Sequence, residues 1–312
     1  MRLGYFPNVT HAAAIIGVEK GFFADELGDT KLTTQTFNAG PDEMGALLGD
    51  SLDIAFIGPG PTINGFTQSD GEAIRLIAGA ASGGAQLVVR DGIDTVADLK
   101  GTTIATPQLA NTQDVALKKY LSEQDIPVDS ADGVTVQNIA NADGLTAFQA
   151  GDIDGGWLPE PWSSRYVLDA GAHVLVDEAD EWPGGKFPTT VVIVRTEFLE
   201  KYPSTVKAFL TGEVKAIQWE QANEDEAKTV VNASLAELTG KALSDDVINR
   251  SFDELELTYD PIAANFTQLA KDAVTAKVAD SVADLTGLAD LAALNSALSD
   301  AGLDPVDDGG LS

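Results

Sequence analysis

The chain has 312 residues, 44% of them hydrophobic, and a formal charge of −30 from 19 Lys and Arg against 49 Asp and Glu, with no Cys. So acidic a surface argues against nucleic acid or an anionic membrane as a partner, because both repel it. The missing Cys excludes disulfides, iron–sulfur clusters and Cys-zinc sites, and no apolar run approaches the roughly 18 residues of a membrane-spanning helix.

Strand and helix signals alternate along most of the chain. Strands are predicted at 3–6, 33–37, 53–57, 74–78, 86–90, 102–105, 134–138, 153–158, 173–176 and 189–195. Helices are predicted between many of these strands, and from residue 197 the pattern is helical, with a last helix at 285–298. Such repeats predict an α/β protein of parallel βαβ units, arranged as two α/β lobes with a cleft between them and a helical C-terminal region.

The loops that follow the strands are the expected ligand sites, because open α/β sheets bind ligands where their strands end. Five such loops are centred on Asn8, Gly40, Gly58, Gln108 and Pro159. Three belong to the first lobe and two to the second, so a ligand between the lobes is expected to contact all five.

Residues for catalysis are few. His11 and His173 are the two His residues of the chain, and neither a nucleophile elbow nor a Walker-type phosphate loop is present. Asp152 and Asp154 share one face of a strand, which suits either a metal pair or a solvated edge. We therefore expect a protein that is not an enzyme and that holds no metal or cofactor.

Three loops have features of an anion site. Residues 106–114 end a strand and open a helix at Asn111 or Thr112, where free backbone N–H groups and the helix dipole favour an anion. Gln113 adds a neutral donor there. Residues 58–62 and 8–11 also join a loop to the start of a helix, so the same features favour an anion there. A plain helix cap remains the alternative at each, and His11 can equally be a helix-terminal residue without a ligand.

Two tryptophans flank the loop at Pro159. Trp157 and Trp162 either floor a pocket for an organic tail or pack in the core. Glu160 between them would repel an anion, so it either holds a substrate amine, pairs with a cation such as Arg165, or caps a turn.

Several segments resemble the nitrate/sulfonate/taurine-type solute-binding proteins of ABC importers. The opening GYFPNVTHA at 4–12 and GVEKGFF at 17–23 resemble the start of those proteins. DIAFIGPGP at 53–61, GTTIATPQ at 101–108 with NTQD at 111–114, and GDIDG at 151–155 with PEPW at 159–162 resemble later segments in the same order. The resemblance runs from about residue 3 to 195 and is looser in the C-terminal helices.

The resemblance implies a type II periplasmic-binding-protein fold that closes on its ligand by a hinge. Its lobes would be residues 1–90 with 188–312, and residues 91–187. Its partners would be a small organic anion and an ABC permease. The protein would be a monomer outside the cytoplasm, in the periplasm or anchored to the membrane, with a native signal or lipoprotein leader removed from this chain.

The ligand-binding residues implied by the resemblance lie in the five loops and in the strand that returns to the first lobe. They are Asn8, Thr10, His11, Gly40, Gly58, Pro59, Gly60, Pro61, Thr62, Gln108, Asn111, Thr112, Gln113, Trp157, Glu160 and Thr189, with Thr190 beside it. The tryptophans favour an aliphatic sulfonate or taurine. Nitrate or bicarbonate, an aromatic carboxylate and a thiamine-precursor pyrimidine remain alternatives, as does a biosynthetic enzyme on the same fold.

Overall fold

The computed structural model describes residues Met1–Ser312 and contains eleven strands and thirteen helices. The strands are β1 (Arg2–Tyr5), β2 (Thr33–Thr36), β3 (Ile54–Ile57), β4 (Ile74–Gly83), β5 (Ala85–Val89), β6 (Thr103–Thr106), β7 (Thr135–Asn138), β8 (Gly155–Pro159), β9 (His173–Asp177), β10 (Pro188–Arg195) and β11 (Leu255–Leu257). The helices are α1 (Ala12–Glu19), α2 (Phe22–Leu27), α3 (Gly40–Leu48), α4 (Pro59–Gln68), α5 (Thr112–Glu123), α6 (Asn141–Ala150), α7 (Trp162–Ala170), α8 (Thr196–Lys201), α9 (Pro203–Ala222), α10 (Glu224–Thr239), α11 (Asp245–Asp253), α12 (Phe266–Thr275) and α13 (Ala292–Asp300).

The strands form two separate sheets, each the centre of one lobe. The first sheet has the order β11-β4-β10-β3-β1-β2, and the second has the order β7-β6-β8-β5-β9. Strands β1, β2 and β3 run parallel, as do β6, β7 and β8. Because parallel strands end at the same edge, each lobe presents its strand-end loops on one side.

The chain first passes between the lobes at two glycines. Gly83 and Gly84 both have positive φ, +80° and +71°, a conformation that favours glycine. Strand β4 before them belongs to the first sheet, whereas β5 after them pairs with β8 and β9 of the second. We therefore propose a boundary at Gly83–Gly84 rather than after residue 90, with the return crossing between β9 and β10.

The largest hydrophobic core lies in the first lobe. Strand β10 is buried from Pro188 to Val194, since it is the β-branched centre of a sheet covered on both faces. Helix α9 packs against α1, α2 and α13, and its Phe209 stacks on Phe23 of α2 with ring centroids 4.6 Å apart. Two smaller cores cover the two faces of the second sheet.

The C-terminal region differs from its predicted helical pattern in two places. Strand β11 adds to the edge of the first sheet by pairing antiparallel with β4. The predicted helix at 285–298 begins only at Ala292, because Gly287 has φ +83° and Asp290 caps the turn before the helix by accepting from the Ala292 N–H at 3.2 Å. No helix combines the length and apolarity needed to cross a membrane.

Candidate ligand-binding site

A buried cavity lies between the lobes where strands of both sheets end. We call it the anion cavity, and it is lined by Phe6, Asn8, Thr10, His11, Gly40, Gly58, Pro61, Asn111, Thr112, Gln113, Pro159, Thr189 and Thr190. The cavity is small: the volume that the centre of a water-sized sphere can occupy is about 30 Å³. None of the lining residues is Lys, Arg, Asp or Glu, so its polar character comes from neutral donors.

Several helices begin at this cavity. Helix α3 begins at Gly40, α4 begins directly after Gly58, and α5 begins at Thr112. The Asn111 side chain caps α5 by accepting from the Asp114 N–H at 2.8 Å. The first backbone N–H groups of a helix have no intrahelical partner and carry partial positive charge. Their convergence gives a positive local potential without any charged side chain.

His11 is held as a neutral ring. Its Nδ1 accepts a hydrogen bond from the Phe6 N–H at 3.2 Å, and the Phe6 and His11 ring centroids are 4.2 Å apart. Burial lowers the pKa of His11 to about 3. An accepting Nδ1 places the proton of the neutral ring on Nε2, so His11 is a donor of one hydrogen bond.

The two threonines of β10 differ in what their hydroxyls do. Thr189 donates to the Gly83 carbonyl at the lobe crossing. The Thr190 hydroxyl is buried without any partner. Since Thr190 lines the anion cavity, its free hydroxyl is available to a ligand.

Two amide side chains also retain free donors. The Gln113 Oε1 accepts from Asn111 Nδ2 at 3.2 Å, and the Asn8 Oδ1 accepts from the Trp162 indole at 3.0 Å. Both residues line the cavity, and these bonds leave the NH₂ groups of Gln113 and Asn8 free to donate.

The lobes are closed on each other around this cavity. Besides the Asn8–Trp162 bond, the Thr10 N–H donates to the Glu160 carbonyl at 3.4 Å, and the Gly60 N–H donates to Thr112 Oγ1 at 3.2 Å. A Cβ atom on Gly60 would lie 3.1 Å from the Thr112 backbone. Glycine at position 60 therefore allows α4 and α5 to approach this closely.

The structure places ten of the sixteen predicted ligand-binding residues around the anion cavity: Asn8, Thr10, His11, Gly40, Gly58, Pro61, Asn111, Thr112, Gln113 and Thr189. Pro59, Gly60, Thr62 and Gln108 do not line it. The Thr62 hydroxyl donates to the Gly58 carbonyl at 2.9 Å, and Gln108 donates to Asp42 on the opposite lobe at 3.2 Å. Sequence reasoning missed Phe6. It is the last residue of a predicted strand, and strand ends are where ligands are expected, so its position could have indicated it.

Trp157, which was predicted to bind the ligand, does not line the anion cavity. Trp157 is 1% exposed and donates its indole N–H to Glu178 at 2.6 Å. It lines a neighbouring space between the lobes together with Gly60. Trp162 bonds to Asn8, which lines the anion cavity, and the Arg165 guanidinium lies over its ring, 4.6 Å from the centroid.

Glu160 does not line the anion cavity, and its side chain binds other residues of the protein instead. Its buried carboxylate accepts from Arg250 at 3.0 Å, Ser163 at 2.6 Å and Ser251 at 2.9 Å. The suggested partner Arg165 instead pairs with Asp169 at 3.5 Å. Glu160 thus joins α7 to α11, and the ionic partner lies 90 residues away in the chain.

One member of the acidic pair suggested on the second sheet has other partners. Asp154 pairs with Arg90 at 3.1 Å and accepts from the Thr103 N–H at 2.8 Å. No group of three or more His, Asp or Glu side chains is placed to hold a metal.

Two α/β lobes closed over a buried cavity of neutral donors define a type II periplasmic-binding-protein fold. The chain belongs to the NMT1-like family, whose sequence model matches residues 1–235. It is 28% identical over 292 residues to a Bacillus subtilis (strain 168) protein named as aliphatic sulfonates-binding, spanning 91% of this chain and 84% of that protein. It is 31% identical over 203 residues to the taurine-binding periplasmic protein of Escherichia coli (strain K12), spanning 65% of this chain and 61% of that protein.

The same fold is present in the alkanesulfonate-binding protein of Xanthomonas axonopodis pv. citri, solved bound to MOPS. The two structures align with a TM-score of 0.74 at 19% identity, over 91% of this chain and 94% of that one.

Proposed function

We propose that this protein is the extracytoplasmic substrate-binding component of an ABC importer. It captures a small monovalent oxyanion, an aliphatic sulfonate or taurine, by closing its lobes and presents the closed form to a permease as a monomer. The observation that carries this proposal is the anion cavity, which both lobes build from uncharged donors and helix N-termini.

The donor set suits a monovalent oxyanion. His11 Nε2, the Thr190 hydroxyl and the NH₂ groups of Asn8 and Gln113 are separate donors on different elements. A sulfonate has three oxygens that share one charge, so several neutral donors can satisfy it without a buried cation. A second full charge would be desolvated without compensation, which disfavours dianions.

The names of the two relatives support a sulfonate as the ligand, but the tryptophan argument for an organic tail is weaker than the sequence suggests, since Trp157 lies outside the anion cavity. The small volume of the cavity favours a second candidate. Nitrate or bicarbonate is a compact ion without a tail, which suits a cavity that leaves the centre of a water-sized sphere only about 30 Å³.

We also propose that the ligand leaves unchanged. The one titratable side chain of the anion cavity is His11, and a pKa of about 3 leaves the ring too weak a base to accept a proton at neutral pH. Turnover of a bound ligand that His11→Ala abolishes would contradict this.

Thermal unfolding with candidate ligands tests the binding role. Ethanesulfonate, taurine, nitrate, bicarbonate, benzoate and an aminopyrimidine would each be added at millimolar concentration to dialysed protein. A ligand at about 100 times its Kd should stabilise the fold by about 2.7 kcal/mol. We expect a sulfonate or nitrate to raise the melting temperature by several degrees. An unchanged melting temperature with every compound would overturn the proposal.

A further inference from the structure

A polar network outside the anion cavity joins the two lobes. Its members are Arg250, Ser251 and Glu254 of α11 in the first lobe, and Gln86, Glu160, Ser163, Ser164 and Asp177 in the second. We call it the crossing network, because it lies against the two glycines at which the chain first passes between the lobes. A Cβ atom on Gly83 would lie 2.9 Å from the Glu254 carbonyl oxygen, and one on Gly84 would lie 3.6 Å from Glu160 Cγ. None of the eight members lines the anion cavity.

Arg250 is the one cation of the crossing network. Its guanidinium donates to Glu160 at 3.0 Å, to Ser164 at 2.7 Å and to Gln86 at 2.7 Å. All three acceptors belong to the second lobe, whereas α11 leads into β11 of the first sheet. The ion pair is shielded from water, since the Arg250 side chain is 19% exposed and that of Glu160 is 0% exposed. A planar guanidinium that bonds three acceptors fixes the position of α11 on the second lobe.

The main chain of Glu160 connects this ion pair to the anion cavity. Its N–H donates to the Gly84 carbonyl at 2.9 Å, and its carbonyl accepts from the Thr10 N–H at 3.4 Å. Thr10 lines the cavity together with Asn8 and His11. Glu160 is therefore bonded at once to the lobe crossing, to α11 and to a cavity loop of the opposite lobe.

The charge balance of the network depends on contact between the lobes. Arg250 brings one positive charge to three carboxylates, those of Glu160, Asp177 and Glu254, and the serine hydroxyls that donate to Glu160 bring none. Moving the second lobe away from Arg250 would leave the buried Glu160 carboxylate with neutral donors alone. An uncompensated buried charge is costly, so the ion pair favours the closed arrangement of the lobes.

We infer that Arg250 is a positioning residue for ligand capture: by holding Glu160 across the lobes, it favours the closed arrangement in which the anion cavity is complete. Arg250 does not line the cavity, so it acts on the position of the lobes and not on the choice of oxyanion. Its removal should therefore weaken every ligand by the same factor, because the apparent Kd rises as the binding-competent arrangement becomes rarer. This inference rests on the proposed function, because it needs an oxyanion that binds between the lobes.

Calorimetry with ethanesulfonate, taurine and nitrate tests the inference. Arg250→Met removes the charge and keeps an unbranched side chain, and we expect it to raise the Kd of each compound that binds the wild type by the same factor, about tenfold or more. Arg250→Lys keeps the charge but has one ammonium for three acceptors, so its Kd should lie between those of wild type and Arg250→Met. X-ray scattering at saturating ligand should give both variants the wild-type radius of gyration, since bound ligand still selects the closed form.

Arg195→Met is the matched control. The Arg195 side chain is 17% exposed, close to the value for Arg250, and its carboxylate partners all lie in the first lobe. These partners are Asp50 at 2.8 Å, Glu197 at 3.2 Å and Asp53 at 3.6 Å. Arg195→Met should lower the stability to denaturant, as Arg250→Met does, and should leave every Kd unchanged. Equal weakening of binding by both variants would reduce the role of Arg250 to general stability.

The double variant Arg250→Met/Glu160→Gln shows whether the two residues act through one contact. Its Kd should be no higher than that of Arg250→Met, because Gln removes the carboxylate that Met leaves unpaired. If Arg250→Met does not fold, Arg250→Lys and the double variant give the same comparison with wild type.

Three results would overturn the inference while the proposed function stands: wild-type affinity in the Arg250 variants, a different factor for each ligand, or penalties of Arg250→Met and Glu160→Gln that multiply in the double variant. If none of the three compounds binds the wild-type protein, the proposed function fails and this inference fails with it.

Discussion

His11 illustrates how one side chain decides the pH response of ligand binding. Its ring is already neutral and donates through Nε2, because Nδ1 is used by Phe6. With a pKa lowered to about 3, the ring does not change charge between pH 5.5 and 8. We therefore expect the ligand Kd to be nearly constant over this range when measured by calorimetry.

A charged histidine would behave differently. Affinity for an anion would fall as the pH rises through the ordinary histidine pKa of about 6.5. Such a fall would contradict a neutral His11. His173 is the other histidine of the chain, and it lies away from the cavity, where it contacts the Ile93 carbonyl at 3.1 Å. His173→Ala is therefore the control: it should leave the ligand Kd and its pH dependence unchanged.

Thr189 and Thr190 form a matched pair for separating binding from stability. Thr190→Val removes a hydroxyl that has no partner, so folding stability should be unchanged or slightly higher while ligand affinity falls about tenfold. Thr189→Val breaks the bond to the Gly83 carbonyl and should lower the free energy of unfolding by about 1–3 kcal/mol. Denaturant unfolding and calorimetry on both variants check this, and equal affinities for Thr190→Val and wild type would remove Thr190 from the site.

At the scale of elements, the contact between α4 and α5 depends on one glycine. Gly60→Ala places a Cβ about 3.1 Å from backbone atoms of Thr112, which cannot move aside as a side chain can. We expect the lobes to stay further apart, with a larger radius of gyration in ligand-saturated protein by X-ray scattering and at least tenfold weaker binding.

Gly45→Ala on α3 is the control for this prediction. A Cβ there meets nothing within 4 Å, so the variant should gain about 0.5–1 kcal/mol of stability from helix propensity and bind normally. If Gly60→Ala closes and binds like Gly45→Ala, the contact is not needed for closure.

The elements were predictable from sequence where the determining contacts are local. Alternation of strands and helices, and the caps at Gly58 and Asn111, are readable in short windows, so the sequence located loops that line the cavity. Contacts between residues distant in sequence could not be predicted in this way. The Glu160–Arg250 bond joins residues 90 apart, and β11 becomes a strand only because the edge of β4 is available to it. The contact of Trp157 with Glu178 was not readable either, since periodicity cannot show on which side of a sheet a cavity opens.

At the scale of the whole molecule, buried carboxyls set the pH dependence of stability. Burial raises the pKa of Glu178 and Glu220 to about 7 and that of Glu43 and Glu213 well above the usual range. The folded state therefore binds protons at a higher pH than the unfolded chain, whose Glu pKa is about 4.3. This stabilisation is fully present below the unfolded pKa and is lost as the pH rises through about 7.

We expect the melting temperature at low salt to rise as the pH falls from 8 to about 5. His11 opposes this trend below about pH 6.5, because the unfolded ring gains a proton that the buried ring does not, but it is one group against four. Glu220→Gln should flatten the curve. A melting temperature that falls steadily over the same range would show that these carboxyls are ionised in the fold.

The net charge of −30 also predicts how salt affects ligand binding. The global field opposes an anion, and added salt screens that field over a Debye length of about 10 Å at 0.1 M. The anion cavity has no Lys or Arg whose attraction salt could weaken, so affinity should stay constant or improve as the ionic strength rises. Calorimetry in sodium gluconate checks this, because gluconate is too bulky for the cavity whereas chloride could compete. A steep loss of affinity with gluconate would mean that a cation outside the cavity attracts the ligand, and charge reversal at Arg165 and Lys241, which line a groove beside Trp162, would then identify it.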